Sequence, residues 1–364
     1  MRFRGVQNWF PRDPGSPNDY EDACAYSEKL GRAVIADGVS SAIFSRTWAR
    51  LLTRHALAVP PRCDDQDGFM RWLGLLQQSW AVNEAVKRAR GDWVRGPKIR
   101  STGGQATFLI LDIDPLRPTN GRPAEYRLRV SAIGDSVLYL IRDGQKILSF
   151  PLQESCEFAQ PPHVLSSIDK DAPYISRFHH KEETVREGDL LVLCTDAIGK
   201  WSMQEYESGV AVDWLRYWEN PEAWQGDIQR LRALRPNDSG NRLVVDDCTL
   251  LLLKVVAEEV SDAEPLMALD LSDAPFVLVT PPEEHPAGSQ EPVEKPVEKP
   301  VEKPVEKPAP VAPTATEIPS VTSEGSAVDE MGKKITETIE KPVVGLLSWF
   351  FGGGRERDNS LPHD

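Results

Sequence analysis

Four separated segments of the sequence each carry an acidic residue at the edge of an apolar run. Asp37 follows "RAVIA", Asp196 follows "LLVLCT", and Asp246 interrupts "NRLVVDDCTLLLL". Glu21 and Asp22 stand just before a fourth, shorter run. Because an unpaired charge at the margin of a core is unfavourable, such acids need an amide, a cation or a metal as a partner. Their recurrence at predicted strand edges indicates one partner that is shared by all of them.

Carboxylates without histidine or cysteine are the ligand set of hard divalent cations such as Mg²⁺ and Mn²⁺. A site built from Asp22, Asp37, Asp196 and Asp246, with the backbone carbonyl of Gly38, suits two such ions. Glycine matters here because a carbonyl reaches a metal only where no side chain crowds the turn. Two neighbouring ions would hold a bridging water, lower its pKa and stabilise charge on a phosphoryl group during in-line attack. This chemistry is hydrolysis without a covalent enzyme intermediate.

Each acid taken alone has a simpler interpretation as a helix cap or a turn former. The segment "DGVSS" precedes a predicted helix and fits a cap, and "DDCT" fits a strand bulge with solvated acids. Caps and turns at every one of these positions would be a coincidence, so the joint pattern favours the metal site.

The bulk composition predicts an acidic globular protein. The 364 residues are 40% hydrophobic, enough for one sizeable domain or two small ones. A formal net charge of -14, without a stripe rich in Lys or Arg, argues against nucleic-acid binding. The five cysteines are scattered without CxxC spacing, which predicts a reducing compartment with neither disulfides nor a thiolate zinc site. With no secretory signal and no apolar stretch that could span a bilayer, the expected location is cytoplasmic.

Apolar periodicity predicts the elements that must position the acids. Strands are predicted at 23–28, 32–37, 106–113, 126–133, 136–142, 145–149, 183–186, 189–195 and 248–256. Tight turns such as "RDGQ" join several of them and favour antiparallel neighbours. Helices are predicted at 41–57 and 67–90, with a further helical region at 203–235. This order predicts an α+β fold in which helices cover antiparallel sheets.

Beyond about residue 281 the sequence is no longer typical of a globular domain. The segment 283–327 contains a repeated PVEK unit, whose prolines deny helix and sheet hydrogen bonds, and it is predicted to be a disordered Pro-rich linker. The preceding segment, 258–282, is interpreted as an extra strand or packed peptide. The segment 328–364 ends in an apolar cluster and is predicted to dock on a protein partner or on the domain itself. Contact with a membrane surface is the alternative, but too few cations surround the cluster to favour it.

Five segments fall in the order and spacing of the metal-dependent (PPM-type, type 2C) Ser/Thr protein phosphatases: "NDYEDA", "VIADGVSS", "SAIGDSVLYLIRDG", "GDLLVLCTDAIGKW" and "DDCTLLLL". Each motif alone is weak, but together they make roughly residues 5–256 resemble this family. The resemblance implies that 1–257 is a catalytic domain with a four-layer α/β/β/α sandwich around two central antiparallel sheets. It also implies a binuclear Mn²⁺ or Mg²⁺ centre that dephosphorylates phosphoserine and phosphothreonine in proteins.

The resemblance assigns the metal bridge and its neighbours by position. Asp37 would bridge both metals, and Gly38 would lend its carbonyl. Glu21 and Asp22 match the acidic pair of the family, of which Asp22 is favoured as a ligand or water-holder. The residues assigned to catalysis are therefore Asp37, Asp22 and Asp196.

The remaining acids are assigned to the other side of the centre. Asp196 and Asp246 would bind the second ion. Asp135, in "GDS", resembles the residue that helps to hold a third, weaker metal, and a turn cap between two strands is an equally favoured interpretation. The small residues Thr102, Gly103 and Gly104 are assigned a structural role at the entry to a core strand.

The sequence departs from the family pattern at three positions. No arginine stands shortly before the acidic pair to bind the phosphate, so Arg12, or Arg4 further back, would have to fold over the site. Ala197 replaces the glycine that normally follows the aspartate of "TDAIGKW". Val39 follows Gly38 where some members have a histidine acid, so the leaving serine oxygen would take its proton from metal-bound water.

Two other classes of function stay open at this point. A pseudophosphatase would keep the same fold as a binding or regulatory module that its C-terminal tail tethers to a partner; the missing arginine favours this alternative, and the intact acidic set opposes it. A purely structural scaffold is the third class. It would show no metal-dependent change in melting temperature.

Overall fold

The structure, a computed structural model, describes residues 2–116, 125–235, 238, 240–257 and 267–268. All of them belong to the first of two compact units, Met1–Ala287. The predicted linker at 283–327 and the predicted docking segment at 328–364 lie outside the described residues, as does most of 258–282.

Helices and strands alternate in groups along the described chain. The strands are β1 (Phe3–Phe10), β2 (Ala23–Ser27), β3 (Arg32–Ala36), β4 (Gln105–Ala106), β5 (Phe108–Pro115), β6 (Glu125–Ile133), β7 (Val137–Arg142), β8 (Gln145–Phe150), β9 (Leu165–Ser166), β10 (His179–Arg186), β11 (Leu190–Cys194), β12 (Cys248–Val255) and β13 (Met267–Ala268). The α-helices are α1 (Ser45–Ala58), α2 (Gln66–Val82), α3 (Glu84–Ala89), α4 (Arg95–Ser101), α5 (Asp196–Glu207), α6 (Leu215–Glu219) and α7 (Pro221–Ala233). Short 3₁₀ turns lie at Pro17–Asp19, Ser155–Ala159 and Tyr174–Arg177.

Two antiparallel sheets form the centre of the described unit. The first has five strands in the order β1-β12-β11-β7-β8, and the second has six in the order β10-β6-β5-β3-β2-β13. β4 and β9 form a separate two-stranded ladder. Within the segment 258–282, Met267 and Ala268 pair with the edge strand β2.

Alternating side chains of the strands build the layers, because successive residues of a strand point to opposite faces. In β5, Leu109 and Leu111 face a core shared by the two sheets, while Phe108 and Ile110 pack in a second core with α1 and α2. β7 and β11 alternate in the same way between the inter-sheet core and a third core with α5, α6 and α7. The predicted α+β class and the four-layer α/β/β/α sandwich are confirmed.

β1 was not predicted, although it pairs along its whole length with β12, from Phe3 opposite Val255 to Phe10 opposite Cys248. Its polar residues hide the alternation that marks a strand. Asn8, for example, is buried and donates through Nδ2 to the backbone oxygen of Tyr217.

The predicted helical regions are divided more finely in the structure. The continuous helix predicted at 67–90 is wrong, because the chain breaks at Asn83, whose side chain accepts a hydrogen bond from Ala85 N and caps α3. The helical region predicted at 203–235 is divided into three helices, α5, α6 and α7, and α5 begins earlier than predicted, at Asp196. α4 was not predicted. Within the described ranges, no helix is both long and apolar enough to cross a bilayer.

Candidate metal centre

Strand register in the six-stranded sheet brings the first acids together. Ala23 of β2 lies opposite Ala36 of β3, so the residues just before and just after this pair, Asp22 and Asp37, emerge at the same end of the sheet. Gly38 continues the ladder through a bridge to Ala106. The turn after β3 is thereby fixed to β4, the strand that pairs with β9.

Strand register in the five-stranded sheet does the same for the other acids. Cys194, the last residue of β11, lies opposite Val137 at the start of β7 and Leu250 near the start of β12. Asp135, Asp196 and Asp246 therefore leave these three strands at one end of the sheet. Because the two sheets pack face to face through a shared core, acids from five distant segments meet at one end of the sandwich.

Asp37 lies at the centre of this acidic cluster. Burial raises the pKa of its carboxyl well above the usual value, and the negative charges of Asp22, Asp196, Asp135 and Asp246 raise it further. Its backbone N–H donates to Thr107 Oγ1 at 3.0 Å, and Thr107 N–H donates back to the Asp37 carbonyl at 2.9 Å. Asp37 is thus held on a rigid strand end.

The helix-cap interpretation of "DGVSS" is wrong for Asp37. Phe44, with a left-handed φ of 55°, occupies the N-cap position of α1, and no side chain caps this helix end. The Ser45 hydroxyl instead donates to the Val39 carbonyl at 2.8 Å. The Asp37 carboxyl is therefore directed to the cluster rather than to a helix terminus.

Asp22 is 1% exposed and is supported by two threonines. Thr249 Oγ1 donates to Asp22 Oδ2 at 2.9 Å, and Thr195 also forms a side-chain hydrogen bond with Asp22. Burial raises the pKa of the Asp22 carboxyl well above its usual value, and the charges of Asp247 and Asp196 add to the effect. A deeply buried acid with this environment needs a cation or a proton.

Asp196 and Asp135 lie on the side of the cluster that the five-stranded sheet provides. Burial raises the pKa of Asp196 to about 6, with a further increase from the charge of Asp246. Burial and the charge of Asp196 raise the pKa of Asp135 to about 7. The Asp37 and Asp196 carboxyl groups lie close enough to affect each other's pKa. The Asp196 carboxyl also accepts a hydrogen bond from Ala197 N at 2.5 Å, so it binds one of the free backbone N–H groups at the start of α5 as well.

Asp246 is paired with the arginine that was assigned to phosphate binding. Arg12 donates to Asp246 Oδ1 through Nε at 3.0 Å and through a terminal nitrogen at 2.5 Å. The same guanidinium also contacts Ser40 Oγ. The alternative, Arg4, lies in β1 and pairs instead with Glu28 at 3.5 Å. Arg12 is therefore the arginine that folds over the site.

Asp247 was missed as a site residue, and the signal was the second acid of "DDCT". Its Oδ1 accepts from Arg12 N at 2.6 Å and its Oδ2 accepts from Glu21 N at 2.7 Å. The side chain is 5% exposed, and burial raises its pKa. Asp247 thus ties the backbone of Arg12 to the backbone of the acidic pair.

A polar cleft of about 420 Å³ opens beside the cluster. Its lining includes Arg12, Glu21, Ser40, Arg46 and Asp247. Burial raises the pKa of Glu21, while a hydrogen bond with Ser40 opposes the shift. Among the predicted metal ligands, Glu21 is the one that faces this cleft directly.

Gly38 is required by close packing as well as by the predicted role of its carbonyl. A Cβ at this position would lie 2.5 Å from the backbone oxygen of Glu21 and 3.1 Å from Ser45 Cβ. A side chain would therefore push the turn after β3 away from the acidic pair.

The chemistry of the cluster fits hard divalent cations. Its donors are carboxylates, several of them buried and close enough to raise one another's pKa, and a cation would relieve this repulsion. In the described ranges, no three His, Cys, Asp or Glu side chains already converge as a metal-binding group.

Several solved structures match the chain at low sequence identity. PppA, a key regulatory component of T6SS in Pseudomonas aeruginosa, matches with a TM-score of 0.42 and 16% identity over 70% of this chain and 98% of that one. The catalytic domain of the serine threonine protein phosphatase PstP, in complex with two manganese ions, matches with a TM-score of 0.42 and 16% identity over 70% and 99%.

A third match is the PPM Ser-Thr phosphatase MsPP from Mycobacterium smegmatis, with a TM-score of 0.37 and 17% identity over 70% of this chain and 98% of that one. The family that the five motifs resemble is thus also named among the structural matches. No protein-family model matches the sequence, and no curated protein matches it. Because the identities and TM-scores are low, function is inferred from the residues of the cluster.

Proposed function

We propose that the chain hydrolyses phosphoserine and phosphothreonine in proteins with the help of two Mn²⁺ or Mg²⁺ ions. The observation that carries this proposal is the position of Asp37, whose pKa is raised by burial and further by four other aspartates from distant segments. Acids gathered in this way at a cleft are typical of a functional site rather than of a stabilising network.

The acidic cluster would hold the ions through its carboxylates. Asp37 would bridge them, with Gly38 contributing its carbonyl and Asp22 binding an ion or a water on one side. Asp196 and Asp246 would serve the other side. When bound, such ions supply a water of lowered pKa and stabilise charge on the phosphoryl oxygens.

Two further acids extend this assignment. Asp135, whose pKa is about 7, would help to hold a third, weaker ion. Glu21 would contribute a carboxylate at the boundary between the cluster and the cleft, where it already contacts Ser40.

The cleft would receive the phosphorylated side chain. Arg12 lines it and presents a planar guanidinium, which suits bidentate contact with phosphate oxygens. To take this role, Arg12 would exchange its contact with Asp246 for one with the phosphate. A small serine or threonine leaving group fits a cleft of about 420 Å³ that is open to solvent.

The test is a turnover assay on the purified full chain with an aryl phosphate and a phosphothreonine peptide. We expect hydrolysis with added Mn²⁺ and none in EDTA. Asp37→Asn should reduce turnover by more than about a hundredfold, since even outer-shell changes reach that range. Asp64→Asn, at an exposed loop position, is the matched control. An unchanged rate in Asp37→Asn would end the metal assignment.

The pseudophosphatase alternative draws on one specific contact. Arg12 engages Asp246, so one proposed ligand already has an internal cation. A binding module of this kind would be stabilised by Mn²⁺ without turning over either substrate. Melting curves with and without Mn²⁺, run beside the turnover assay, separate the two functions.

A further inference from the structure

Arg232, on α7, reaches the backbone of two segments that carry proposed site residues. Its Nη1 donates to the carbonyl oxygens of Pro11 at 3.0 Å and Arg12 at 3.3 Å. Its Nη2 donates to the carbonyl of Asp246 and to Cys248 Sγ, the latter at 3.3 Å. One guanidinium therefore contacts both the segment of Arg12 and the segment of Asp246.

These contacts lie where the backbone ladder of β1 and β12 ends. Phe10 and Cys248 are the last pair of that ladder, and beyond them the two segments of the chain form no further strand pairs with each other. The carbonyls of Pro11, Arg12 and Asp246 are left to find other donors, and Arg232 supplies them. The side chain thus continues the connection between the two segments past the end of the sheet.

The guanidinium is itself held in place by its surroundings. Its central carbon lies 4.9 Å from the centre of the Phe10 ring, within the range of a cation–π contact. The neighbouring Leu231 and Ile228 are buried in the core that α7 shares with the five-stranded sheet. The Leu231 carbonyl also accepts from Leu243 N at 3.3 Å. α7 is therefore a fixed platform for this side chain.

We propose that Arg232 is a positioning residue that sets the distance between Arg12 and Asp246. This inference rests on the proposed function, in which Arg12 binds phosphate and Asp246 binds a metal. In this role Arg232 would contact neither substrate nor metal. Its effect passes through the two backbone segments, and through them to the hydrogen bonds that Asp247 makes with Arg12 N and Glu21 N.

Lysine cannot reproduce this arrangement. The planar guanidinium of arginine holds several N–H donors in fixed directions, whereas lysine carries one ammonium group on a flexible side chain. Arg232→Lys keeps the positive charge but loses part of the contact set. Arg232→Gln loses the charge and keeps one amide that can donate.

The experiment compares the full-length wild type with R232K and R232Q. The control is R230K on the same helix, where Arg230 pairs with Asp227 at 3.2 Å and contacts neither segment. Peptide-level amide hydrogen exchange is measured over the segments that contain Arg12 and Glu21. Mn²⁺ affinity by calorimetry, and kcat and KM with a phosphothreonine peptide, are measured on the same samples.

We expect exchange in both segments to become about tenfold faster in R232K and R232Q, as the segments open more readily. KM should rise about tenfold with a smaller change in kcat, and Mn²⁺ binding should weaken, because displaced groups meet phosphate and metal less well. R230K should match the wild type in all three measurements.

Unchanged exchange and unchanged KM in both variants would overturn the inference, and so would unfolding of both, since a positioning role predicts folded proteins. If the wild type neither binds Mn²⁺ nor turns over substrate, the proposed function fails. The exchange rates of the segments that contain Arg12 and Glu21 then show separately whether Arg232 holds this region of the backbone in place.

Discussion

Asp37 is a residue that folding alone does not explain. Its carboxyl lies at a buried strand end where burial and four other aspartates oppose its charged form. Hydrogen bonds from threonines support the neighbouring Asp22, and an arginine pairs with Asp246, whereas the charged groups that act on Asp37 are aspartates. A group kept under these conditions is expected to serve chemistry.

Arg12 should affect substrate binding more than the chemical step. We expect Arg12→Ala to raise KM for a phosphothreonine peptide by about ten- to a hundredfold, as loss of a charge-assisted phosphate contact implies. Arg12→Lys should recover only part of this loss, because lysine cannot make a bidentate contact. Steady-state kinetics with saturating Mn²⁺ measure both.

The matched control for Arg12 is Arg4→Ala in β1, the strand that precedes Arg12. Arg4 pairs with Glu28 and is not among the residues that line the cleft, so its removal should leave KM unchanged. A KM for Arg12→Ala within twofold of the wild type would reject the phosphate role.

At the scale of elements, the sequence predicted what is periodic. β5, β7 and β11 alternate or run apolar throughout, so both their existence and their place in a two-sided core followed from hydrophobicity. β1 did not follow, because it carries the buried polar residues Gln7 and Asn8, and the bond from Asn8 to the backbone oxygen of Tyr217 is a tertiary contact that no local pattern encodes. The break at Asn83 was hidden for a related reason, since one capping side chain ends a run that is otherwise helical.

The same limit applies to the candidate site. The acids themselves were found because a carboxylate at the end of an apolar run is unusual. Residues that support them, such as Thr249, Asp247 and Arg232, have common types at ordinary positions, and their importance arises from partners more than 200 residues away or on another element. The packing of the two sheets, and of α7 on the five-stranded sheet, brings these partners together.

Thr249 of β12 should help to hold Asp22 in the acidic cluster. Thr249→Val keeps the shape of the side chain but removes the donor to Asp22 Oδ2, which leaves a buried carboxylate with one hydrogen bond fewer. We expect Mn²⁺ affinity to weaken by about tenfold, the lower end of the range for second-layer partners of metal ligands. Calorimetric titration measures this.

Thr249→Ser is the rescue variant for this prediction, because it restores the hydroxyl while removing only a methyl group. It should bind Mn²⁺ within a few-fold of the wild type. Equal affinities for Thr249→Val and the wild type would show that the hydrogen bond to Asp22 does not organise the site.

At the scale of the whole molecule, three cores stabilise the sandwich while its acidic end opposes folding. The inter-sheet core and the two helix-facing cores bury most large apolar side chains of the described strands. The cluster collects like charges from both sheets at one end, so each sheet contributes to the repulsion. A cation bound there would join the two sheets electrostatically as well as serve chemistry.

The stability of the metal-free protein should therefore fall as pH rises from 5 to 8. In the folded chain the pKa is about 6 for Asp196 and about 7 for Asp135, whereas in an unfolded chain both are about 3.9. The native state thus binds more protons than the unfolded state over this range, and the free energy of unfolding decreases as these protons are lost.

In EDTA we expect the melting temperature to drop by about 5 °C between pH 5 and pH 8. Mn²⁺ should reverse the drop at pH 8, and Asp196→Asn in EDTA should reduce it, because one titrating carboxyl is gone. A melting temperature in EDTA that stays flat or rises over this interval would show that the acids do not repel one another in the folded protein.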